Sequence, residues 1–523
     1  MNGQSVPFTV NRAPIDLPED VVIRILLCVC DAIPATAVTD AKLRSVAMMG
    51  GVGSVSRLLR HLAKDALMRD ERAWLTVQVA AVAKCMACFP RALSLRIVGD
   101  ARAGDIGEVP RLTSVMRLTI ADNNLMRGCE GLGQLVGLRD LYIQGCSELQ
   151  DAAALSSLVA LRTLRVSSCP LLDATSLAPS LARMARLTSL HLVGIDVDAA
   201  RATSLADSLE WMTLLTSLDL SGVRNAYQPL RAWASLARSL APMAQLTSLM
   251  LSGNYLGAAG AASLAPSLAE MARLTYLNLH TNNLGAEGAE SLAPSLARMR
   301  EMTFLNLSGN HIGAAGAASL AQSLTQMTRM TELHLSGNVT GNPIGAAGAT
   351  ALAPSLARMT RMTILHLSHN SIGDAGATSL APSLAKMTAL TELHLSHNAI
   401  GAAGAASLAP SIAEMTQLSR LLLGRNSLGN AGATSLAPRL APMARLAHLN
   451  LAFNAIGEAG AESLAQSLAR MGQLEELCFS GNDISDEAAA SLFALPGNLR
   501  LRLPGNAKVV VATGRSVTRQ AQP

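Results

Sequence analysis

Histidines recur at a regular spacing in this 523-residue chain, and they are its best candidates for metal binding. His334, His366 and His394 occupy the same place in three successive copies of one motif, and Glu332 and Glu392 stand two residues before the first and the last of them. Neighbouring strands lie about 5 Å apart, so such histidines would form a column. Imidazole and carboxylate groups together suit Zn²⁺. The alternative, which we favour, is duplication of one solvated residue, and the sequence therefore predicts no metal site and no cofactor.

Two further motifs lack the partners that their chemistry needs. Cys85 and Cys88 form a lone C-x-x-C without a second pair at metal-binding spacing, which favours two structural cysteines. Glycine-rich stretches such as GAAGAA lack the Lys-Ser/Thr pair of a phosphate-binding loop, and they recur with the repeat. The sequence therefore predicts no catalytic residues and a protein that is not an enzyme.

The composition indicates a folded chain with protein partners. Half of the residues (50%) are hydrophobic and 15% are charged, so the chain can bury a core. A net charge of +5 over this length gives no dense basic field, which argues against a nucleic-acid partner. The eight cysteines are too sparse for a disulfide framework and favour a reducing compartment. The start of the chain lacks the basic residues and the apolar core of a secretion signal. No apolar run is long enough to span a bilayer, so we expect no membrane contact.

A repeated unit organises most of the chain. The motif LxxLxLxxN recurs every 28 residues, once after 32, from Leu246 to Leu474, and steps of 23 to 31 residues extend the pattern upstream to Val115. Within the motif, apolar residues alternate with other residues, which is typical of a half-buried strand. The stretch that follows, for example LGAAGAASLAPSLAEM at residues 256–271, spaces its apolar residues by three and four, as on one face of a helix. Each unit is therefore predicted to be a strand followed by a return helix.

Such units bury their apolar faces only by stacking. We predict an α/β solenoid, a horseshoe with a parallel sheet on the concave side and helices on the convex side, because helices need about 8 to 10 Å and strands about 4.8 Å. Small Gly and Ala residues would let the helices approach closely. A proline inside a helix costs roughly 3 kcal/mol, so each return helix is predicted to break at its proline. These prolines are Pro266, Pro294, Pro354, Pro382, Pro410 and Pro438.

The repeats resemble leucine-rich repeats of the 28-residue, ribonuclease-inhibitor-like form. The resemblance covers roughly residues 92 to 506. It implies that Cys146 and Cys169 fill the same slot as a ladder of asparagines that satisfies backbone groups between turns. The asparagines are Asn254, Asn282, Asn310, Asn342, Asn370, Asn398, Asn426, Asn454 and Asn482.

The third, fifth, seventh and eighth places of each motif face the predicted concave side, where we expect an unidentified target protein to bind. Aromatic residues make up only 2% of the chain, so Tyr276 and Phe304 in adjacent third places are hot-spot candidates. The alternative is a scatter of exposed apolar residues. Below about pH 6.5 the histidine column would repel itself, and arginines near the C-terminal end indicate an acidic partner edge. The predicted partner-binding residues are Met250, Tyr276, Phe304, Glu332, His334, Ile364, His366, Glu392, His394 and Arg420.

Residues 15–75 are predicted to form a small all-α module ahead of the repeats. A Leu-Pro pair precedes an apolar helical stripe, and a Val-Ser-Arg triplet and Trp74 follow further on. This order resembles an F-box, which docks on the Skp adaptor of a cullin-RING ubiquitin ligase. The alternative is a plain helical cap over the end of the solenoid core. The resemblance implies adaptor contacts at Leu17, Pro18, Val22, Ile25 and Leu26.

An F-box followed by repeats reading GAxxLA resembles the GALA family of type III effectors from plant-pathogenic bacteria, and residues 348–353 read GATALA. The resemblance implies a substrate-recruiting subunit of an SCF-type ubiquitin ligase, delivered to the host cytoplasm or nucleus; a chain of other origin would be cytoplasmic. A scaffold or inhibitor that sequesters a partner without ubiquitin chemistry stays open, as does a GTPase-activating solenoid. The predicted regions are a disordered start (1–14), the F-box-like module (15–75), a connecting helix (76–91), the repeat array (92–506) and a C-terminal tail (507–523).

Overall fold

Strands and return segments alternate along both compact units of the chain, Met1–Gln245 and Leu246–Pro523. The predicted disordered start and the F-box-like module up to residue 74 lie outside the described residues. The structure, a computed structural model, describes residues 75–78, 94–98, 115–197, 199–223, 229–337, 343–493, 495, 499–502, 508–513 and 516–521.

The first unit builds a parallel sheet in sequence order. Its 23-residue repeats return through 3-10 turns at Glu130–Gln134 and Ala153–Ser157, because so short a repeat leaves few residues for a helix. Longer repeats return through helices α1 (Ala174–Arg183), α2 (Ala199–Leu209) and α3 (Pro229–Ser239). The strands are β1 (Leu75–Gln78), β2 (Ser94–Val98), β3 (Arg117–Ala121), β4 (Asp140–Gln144), β5 (Thr163–Ser167), β6 (Ser189–Val193) and β7 (Ser217–Asp219).

The second unit repeats one strand and one helix. Its parallel strands are three residues long: β8 (Ser248–Met250), β9 (Tyr276–Asn278), β10 (Phe304–Asn306), β11 (Glu332–His334), β12 (Ile364–His366), β13 (Glu392–His394), β14 (Arg420–Leu422), β15 (His448–Asn450), β16 (Glu476–Cys478) and β17 (Arg500–Arg502). The helices are α4 (Gly257–Glu270), α5 (Gly285–Leu296), α6 (Gly313–Leu324), α7 (Gly345–Leu356), α8 (Gly373–Leu384), α9 (Ala402–Ala413), α10 (Gly429–Leu440), α11 (Glu458–Leu468) and α12 (Asp486–Phe493). Within the described residues, no helix is long and apolar enough to cross a membrane.

The leucines of the motif form the core between strands and helices. In β9 the central Leu277 is fully buried, whereas Tyr276 and Asn278 on either side of it are half-buried on the other face of the sheet. From the helical side, Leu292 and Leu296 of α5 enter the same core. The alternation within the motif therefore places every third-place and fifth-place residue on the open face of the sheet.

Two ends of the repeat array differ from the prediction. The connecting helix predicted over 76–91 is wrong for residues 76–78, which belong to β1 and pair in parallel with β2. The sequence Leu-Thr-Val-Gln alternates apolar and polar residues and suits a strand. In the predicted C-terminal tail, β18 (Lys508–Thr513) and β19 (Ser516–Ala521) form an antiparallel hairpin, and β18 pairs with β17.

The return helices run through their prolines without a break, so the predicted break is wrong. Pro294, for example, lies inside the continuous helix α5. Its ring removes the hydrogen bond to the carbonyl group of Glu290, four residues earlier. Both residues are exposed, so water can reach the freed carbonyl group. The same exposed placement recurs at Pro266, Pro354, Pro382, Pro410 and Pro438.

Small residues let neighbouring helices approach closely, as the sequence predicted. A Cβ atom added at Gly348 would lie 2.5 Å from Cγ2 of Ile344 and 3.1 Å from Cβ of Ala317 in the preceding helix. Two further residues of the GATALA segment, Ala349 and Leu352, are buried. The GAxxLA pattern is therefore explained by helix packing.

The asparagine ladder is confirmed in the described residues. Asn398 donates from Nδ2 to the carbonyl oxygens of Leu367 (2.8 Å) and Leu395 (3.0 Å). Its Oδ1 accepts the backbone N–H groups of Asn370 (2.9 Å) and Ile372 (3.4 Å) from the preceding repeat. One amide thus closes its own turn and joins it to the previous one. Asn342 lies outside the described residues, and the cysteines that share this slot, Cys146 and Cys169, are buried and donate to carbonyl oxygens within their own turns.

A second ladder, of serines, links the helices. Ser411 in α9 donates its hydroxyl hydrogen to the carbonyl oxygen of Ala381 in α8 at 2.7 Å. Ser383 does the same to Ala353 in α7 at 2.6 Å. In α10 the equivalent position is Arg439, whose side chain is exposed. The serine ladder therefore stops at α10.

We expect Asn398→Ala to destabilise the second unit by about 3 kcal/mol or more, because it leaves several buried backbone groups unsatisfied at roughly 1–3 kcal/mol each. The midpoint of urea denaturation measures this loss. Asn306→Ala is the matched control, since Asn306 is half-buried on the sheet face and Oδ1 accepts a local bond from the N–H of Ser308. Equal losses in both variants would contradict the structural role of the ladder.

Ser411→Ala should cost about 1 kcal/mol, because it removes one buried hydrogen bond while the carbonyl group of Ala381 keeps its helical bond from Ala385. Ser435→Ala serves as the control, since Ser435 donates to Ala431 within its own helix and should change stability by less than about 0.5 kcal/mol. Urea denaturation compares the two. A larger loss at Ser435 than at Ser411 would argue against the inter-helix role.

Candidate protein interaction face

The open sheet face of the second unit carries two columns of side chains, set by the one-to-one register of the strands. All ten predicted partner-binding residues lie on this face. The third-place column runs Ser248, Tyr276, Phe304, Glu332, Ile364, Glu392, Arg420, His448, Glu476 and Arg500. The fifth-place column runs Met250, Asn278, Asn306, His334, His366, His394, Leu422, Asn450, Cys478 and Arg502. Met250 is thus in register with Asn278, and Ser248 is the neighbour of Tyr276.

Five ring side chains from five successive strands form what we call the ring ladder: Tyr276, Phe304, His334, His366 and His394. The rings of Tyr276 and Phe304 stack with centroids 4.0 Å apart and an angle of 6° between their planes. Phe304 lies 5.1 Å from His334, where the ladder passes from the third-place to the fifth-place column. The remaining centroid distances are 4.2 Å and 3.8 Å. The predicted aromatic pair and the predicted histidine column therefore form one continuous surface.

Burial favours the neutral form of the histidines of the ladder. Burial lowers the pKa of His334, His366 and His394 below 6.5. For His366 the pKa falls to about 3, because the neighbouring His394 and His334 add to the effect of burial. Glu332 and Glu392 act in the opposite direction on His334 and His394 but do not offset burial. The predicted onset of repulsion near pH 6.5 is therefore too high.

Polar residues of the third-place column, charged or titratable, lie close to one another. Nε of Arg420 lies 3.9 Å from Oε2 of Glu392, and Nδ1 of His448 lies 3.4 Å from Oε2 of Glu476. Arg502 also contacts Glu476, at 3.2 Å. These pairs are partly exposed, so each contributes at most about 1 kcal/mol to stability. They offset the basic strip that the sequence indicated at this end.

A second group of large side chains, which we call the eighth-place cluster, lies where each strand turns outward. It consists of His369, His397, Arg425 and Phe453. The histidine rings stack at 3.8 Å, and the guanidinium group of Arg425 lies 4.3 Å from the centre of the Phe453 ring. All four have φ between 53° and 60°, a left-handed conformation that favours glycine. Four successive repeats therefore place bulky side chains at a backbone cost.

The sequence analysis did not single out Phe453, although its position in the repeat predicts an exposed aromatic side chain. Its side chain is 46% exposed. A Cβ atom at Gly481, the eighth-place residue of the next repeat, would lie 2.3 Å from the Phe453 ring. The glycine thus leaves the space that the ring occupies. The signal was the series His, His, Arg, Phe, Gly at one repeat position.

The first unit contains a buried polar cluster that the sequence reasoning also missed. The hydroxyl group of Ser189 lies 2.9 Å from Nε2 of His191, and Nδ1 of His191 lies 3.5 Å from Oδ2 of Asp219. Burial opposes the charge of Asp219, but hydrogen bonds from His191 and Ser221 lower its pKa. The order matches a Ser-His-Asp triad, yet the guanidinium group of Arg165 lies 3.3 Å from the same Nδ1. The backbone N–H of Ser189 donates within the sheet, so it does not form an oxyanion site. The cluster is thus a structural network.

Comparison with known proteins agrees with this architecture. A family model described as Leucine Rich repeat matches residues 273–293, 300–321, 359–381, 386–409 and 446–465. These segments, all in the second unit, are leucine-rich repeats, as the sequence resemblance implied. No curated protein matches the chain in sequence.

Two solved structures align with much of this chain. A leucine-rich-repeat protein of Leptospira interrogans aligns with a TM-score of 0.51 and 18% identity, over 78% of this chain and 88% of its own. An internalin of Listeria monocytogenes aligns with a TM-score of 0.36 and 19% identity, over 75% of this chain and 81% of its own. The first likeness, together with the parallel sheet and the serial helices, shows that the fold is a leucine-rich-repeat solenoid. Proteins of this class generally serve as scaffolds for protein interactions.

The predicted adaptor contacts lie in a part of the chain that the structure does not describe. Leu17, Pro18, Val22, Ile25 and Leu26 fall before residue 75, and their role stays a prediction. The ten sheet-face residues are brought together by the fold, but their contact with a partner is likewise a prediction.

Proposed function

We propose that this protein is an interaction adaptor that captures a partner protein on the open sheet face of its second unit. The observation that carries the proposal is the ring ladder. Aromatic side chains and arginine dominate the binding energy of many protein interfaces. Here five rings form a surface that spans roughly 19 Å across five strands, and the eighth-place cluster adds Arg425 and Phe453 beside it.

The state of these rings before binding supports the proposal. Each ring contacts its neighbours in the ladder, and Tyr276 and Phe304 are half-buried. Binding a protein costs entropy for every side chain that it immobilises, about 0.5–1.5 kcal/mol for a mobile one. Rings that are already held by stacking lose less, so this surface is preorganised. The cost of the left-handed eighth-place residues is consistent with selection for a binding surface.

We propose further that the partner is recruited for ubiquitination, with the protein as a substrate-recruiting subunit of an SCF-type ligase. This finer proposal depends on the F-box-like order of residues 15–75 and on the Skp adaptor as a second partner. If the chain is a bacterial effector of the GALA type, it acts in the host cytoplasm or nucleus. The GAxxLA pattern gives the effector proposal limited weight, because helix packing already requires those residues.

Tyr276→Ala combined with Phe304→Ala should weaken capture of the partner by tenfold or more, because it removes the stacked pair from the ladder. Partners are first isolated by affinity capture with the full chain, and the dissociation constant of a purified partner is then measured by titration calorimetry. Tyr255→Ala is the control, since Tyr255 is 62% exposed but lies outside the ladder. Unchanged affinity in the double variant would remove the ladder from the interface.

Leu17→Ala combined with Pro18→Ala should abolish pulldown of a purified Skp adaptor, because the Leu-Pro pair begins the predicted docking helix. The neighbouring Val6→Ala with Pro7→Ala changes a similar dipeptide outside the F-box-like order and should leave binding intact. If the wild-type chain does not bind the adaptor, or if the Leu17 and Pro18 variant still binds, the ubiquitin proposal fails. A scaffold or inhibitor that sequesters its partner is then the better account.

A further inference from the structure

Three buried imidazole nitrogens of the ring ladder make no hydrogen bond within the described residues: Nε2 of His334, His366 and His394. Buried polar atoms in folded proteins almost always have a partner, which is a protein group, a water molecule or an ion. The sequence favoured duplication of a solvated residue, but these atoms are shielded from solvent. Nε2 of His366 therefore needs a partner that no described residue supplies, and Nε2 of His334 and of His394 each lie near a carboxylate without a hydrogen bond to it.

Carboxylate groups lie beside the histidines at a distance that suits a common ligand. Nε2 of His394 lies 3.4 Å from Oε2 of Glu392 without forming a hydrogen bond. Two ligand atoms on one tetrahedral Zn²⁺ are separated by about 3.4 Å when each bond is about 2.0–2.1 Å. One ligand atom each from His366, Glu392 and His394 all lie within 4.8 Å of one another. No pair of these atoms is therefore more than about 1.4 Å further apart than two ligand atoms on one Zn²⁺.

The hydrogen bond at Nδ1 of His366 can leave Nε2 of the same ring available to bind a metal. Nδ1 of His366 and Nδ1 of His334 lie 2.8 Å apart, so one of them donates to the other. If His366 is the donor, its Nε2 carries a lone pair and His334 carries its hydrogen on Nε2. That hydrogen would face Oε2 of Glu332, which lies 3.6 Å away. The other ring nitrogen of a metal-binding histidine usually donates to a carboxylate, a carbonyl oxygen or water, and His334 would take that place here.

We propose that His366, His394 and Glu392 bind one divalent transition-metal ion, with Zn²⁺ as the best match to two nitrogens and one oxygen. His334 and Glu332 orient His366 from behind. Three protein ligands leave a fourth position of a tetrahedral ion open to a water molecule or to a donor group from a bound protein. Calcium and magnesium prefer oxygen ligands and fit this donor set poorly.

The same strands provide a matched control pair. His369 and His397 also stack at 3.8 Å, one repeat apart, and lie three residues after His366 and His394. The His369 side chain is exposed, that of His397 is partly exposed, and neither has a glutamate within ion-pair distance among the described residues. The two pairs therefore separate a built site from ordinary binding of metal by surface histidines.

The test uses the untagged full chain, stripped with a chelator and titrated with ZnCl₂ by calorimetry, with bound zinc counted after dialysis. The wild-type chain should bind one Zn²⁺ that is lost in His394→Ala and weakened at least tenfold in Glu392→Gln. Glu332→Gln should weaken binding by about 10–100-fold through the orientation of His366. His369→Ala with His397→Ala should bind zinc as the wild type does. Added zinc should also raise the midpoint of thermal unfolding of the wild-type chain but not of Glu392→Gln.

Three outcomes would overturn the site. The first is that the wild-type chain binds no zinc. The second is that the variant His369→Ala with His397→Ala loses as much zinc as His394→Ala. The third is that Glu392→Gln leaves the zinc affinity unchanged. Circular dichroism of each zinc-free variant checks its fold, and Glu392→Gln, which is nearly isosteric, carries the test if a histidine variant unfolds. Zinc binding and partner capture are measured separately, so the metal site can fail while the interaction adaptor stands.

Discussion

The buried asparagine that closes each motif is the contact on which the second unit depends. Its strands are only three residues long, and so short a parallel ladder supplies few hydrogen bonds of its own. The amide of Asn398 adds bonds to two carbonyl groups and two N–H groups in adjacent turns. Each repeat is therefore locked to the next at the point where the chain leaves the sheet. The core leucines supply burial, and the asparagines supply the register.

That register is what gives the sheet face its chemistry. Because each strand pairs with the next without a shift, a residue type copied from repeat to repeat becomes a column with nearly constant spacing. This register stacks the ring of Tyr276 on that of Phe304, and it brings the imidazole rings of His366 and His394 close together. Arg420 pairs with Glu392 along the neighbouring column. Duplication of a residue along the sequence therefore produces an ordered column of side chains on the sheet face.

Much of this organisation could be predicted from the period of the sequence. The 28-residue step predicted the strands, the leucine core and which residues share the sheet face, because alternation and register are properties of the backbone. The continuous helices could not be predicted in the same way, since the cost of a proline depends on whether water reaches the carbonyl group of a residue such as Glu290. The buried nitrogens of the histidine column depend on how neighbouring rings cover one another. The position of the Phe453 ring likewise depends on Gly481 in the next repeat, so it cannot be predicted from one repeat alone.

The interruption of the serine ladder at Arg439 has a consequence for cooperativity. In an array where each repeat contacts only its neighbours, stability is nearly a sum of repeat terms and interface terms. A junction that lacks one link, such as that between α9 and α10, is a place where the array can divide into separately opening segments. The repeats of the ring ladder lie on the N-terminal side of this junction. The ring ladder can therefore stay folded while the last repeats, which carry Phe453, open and close.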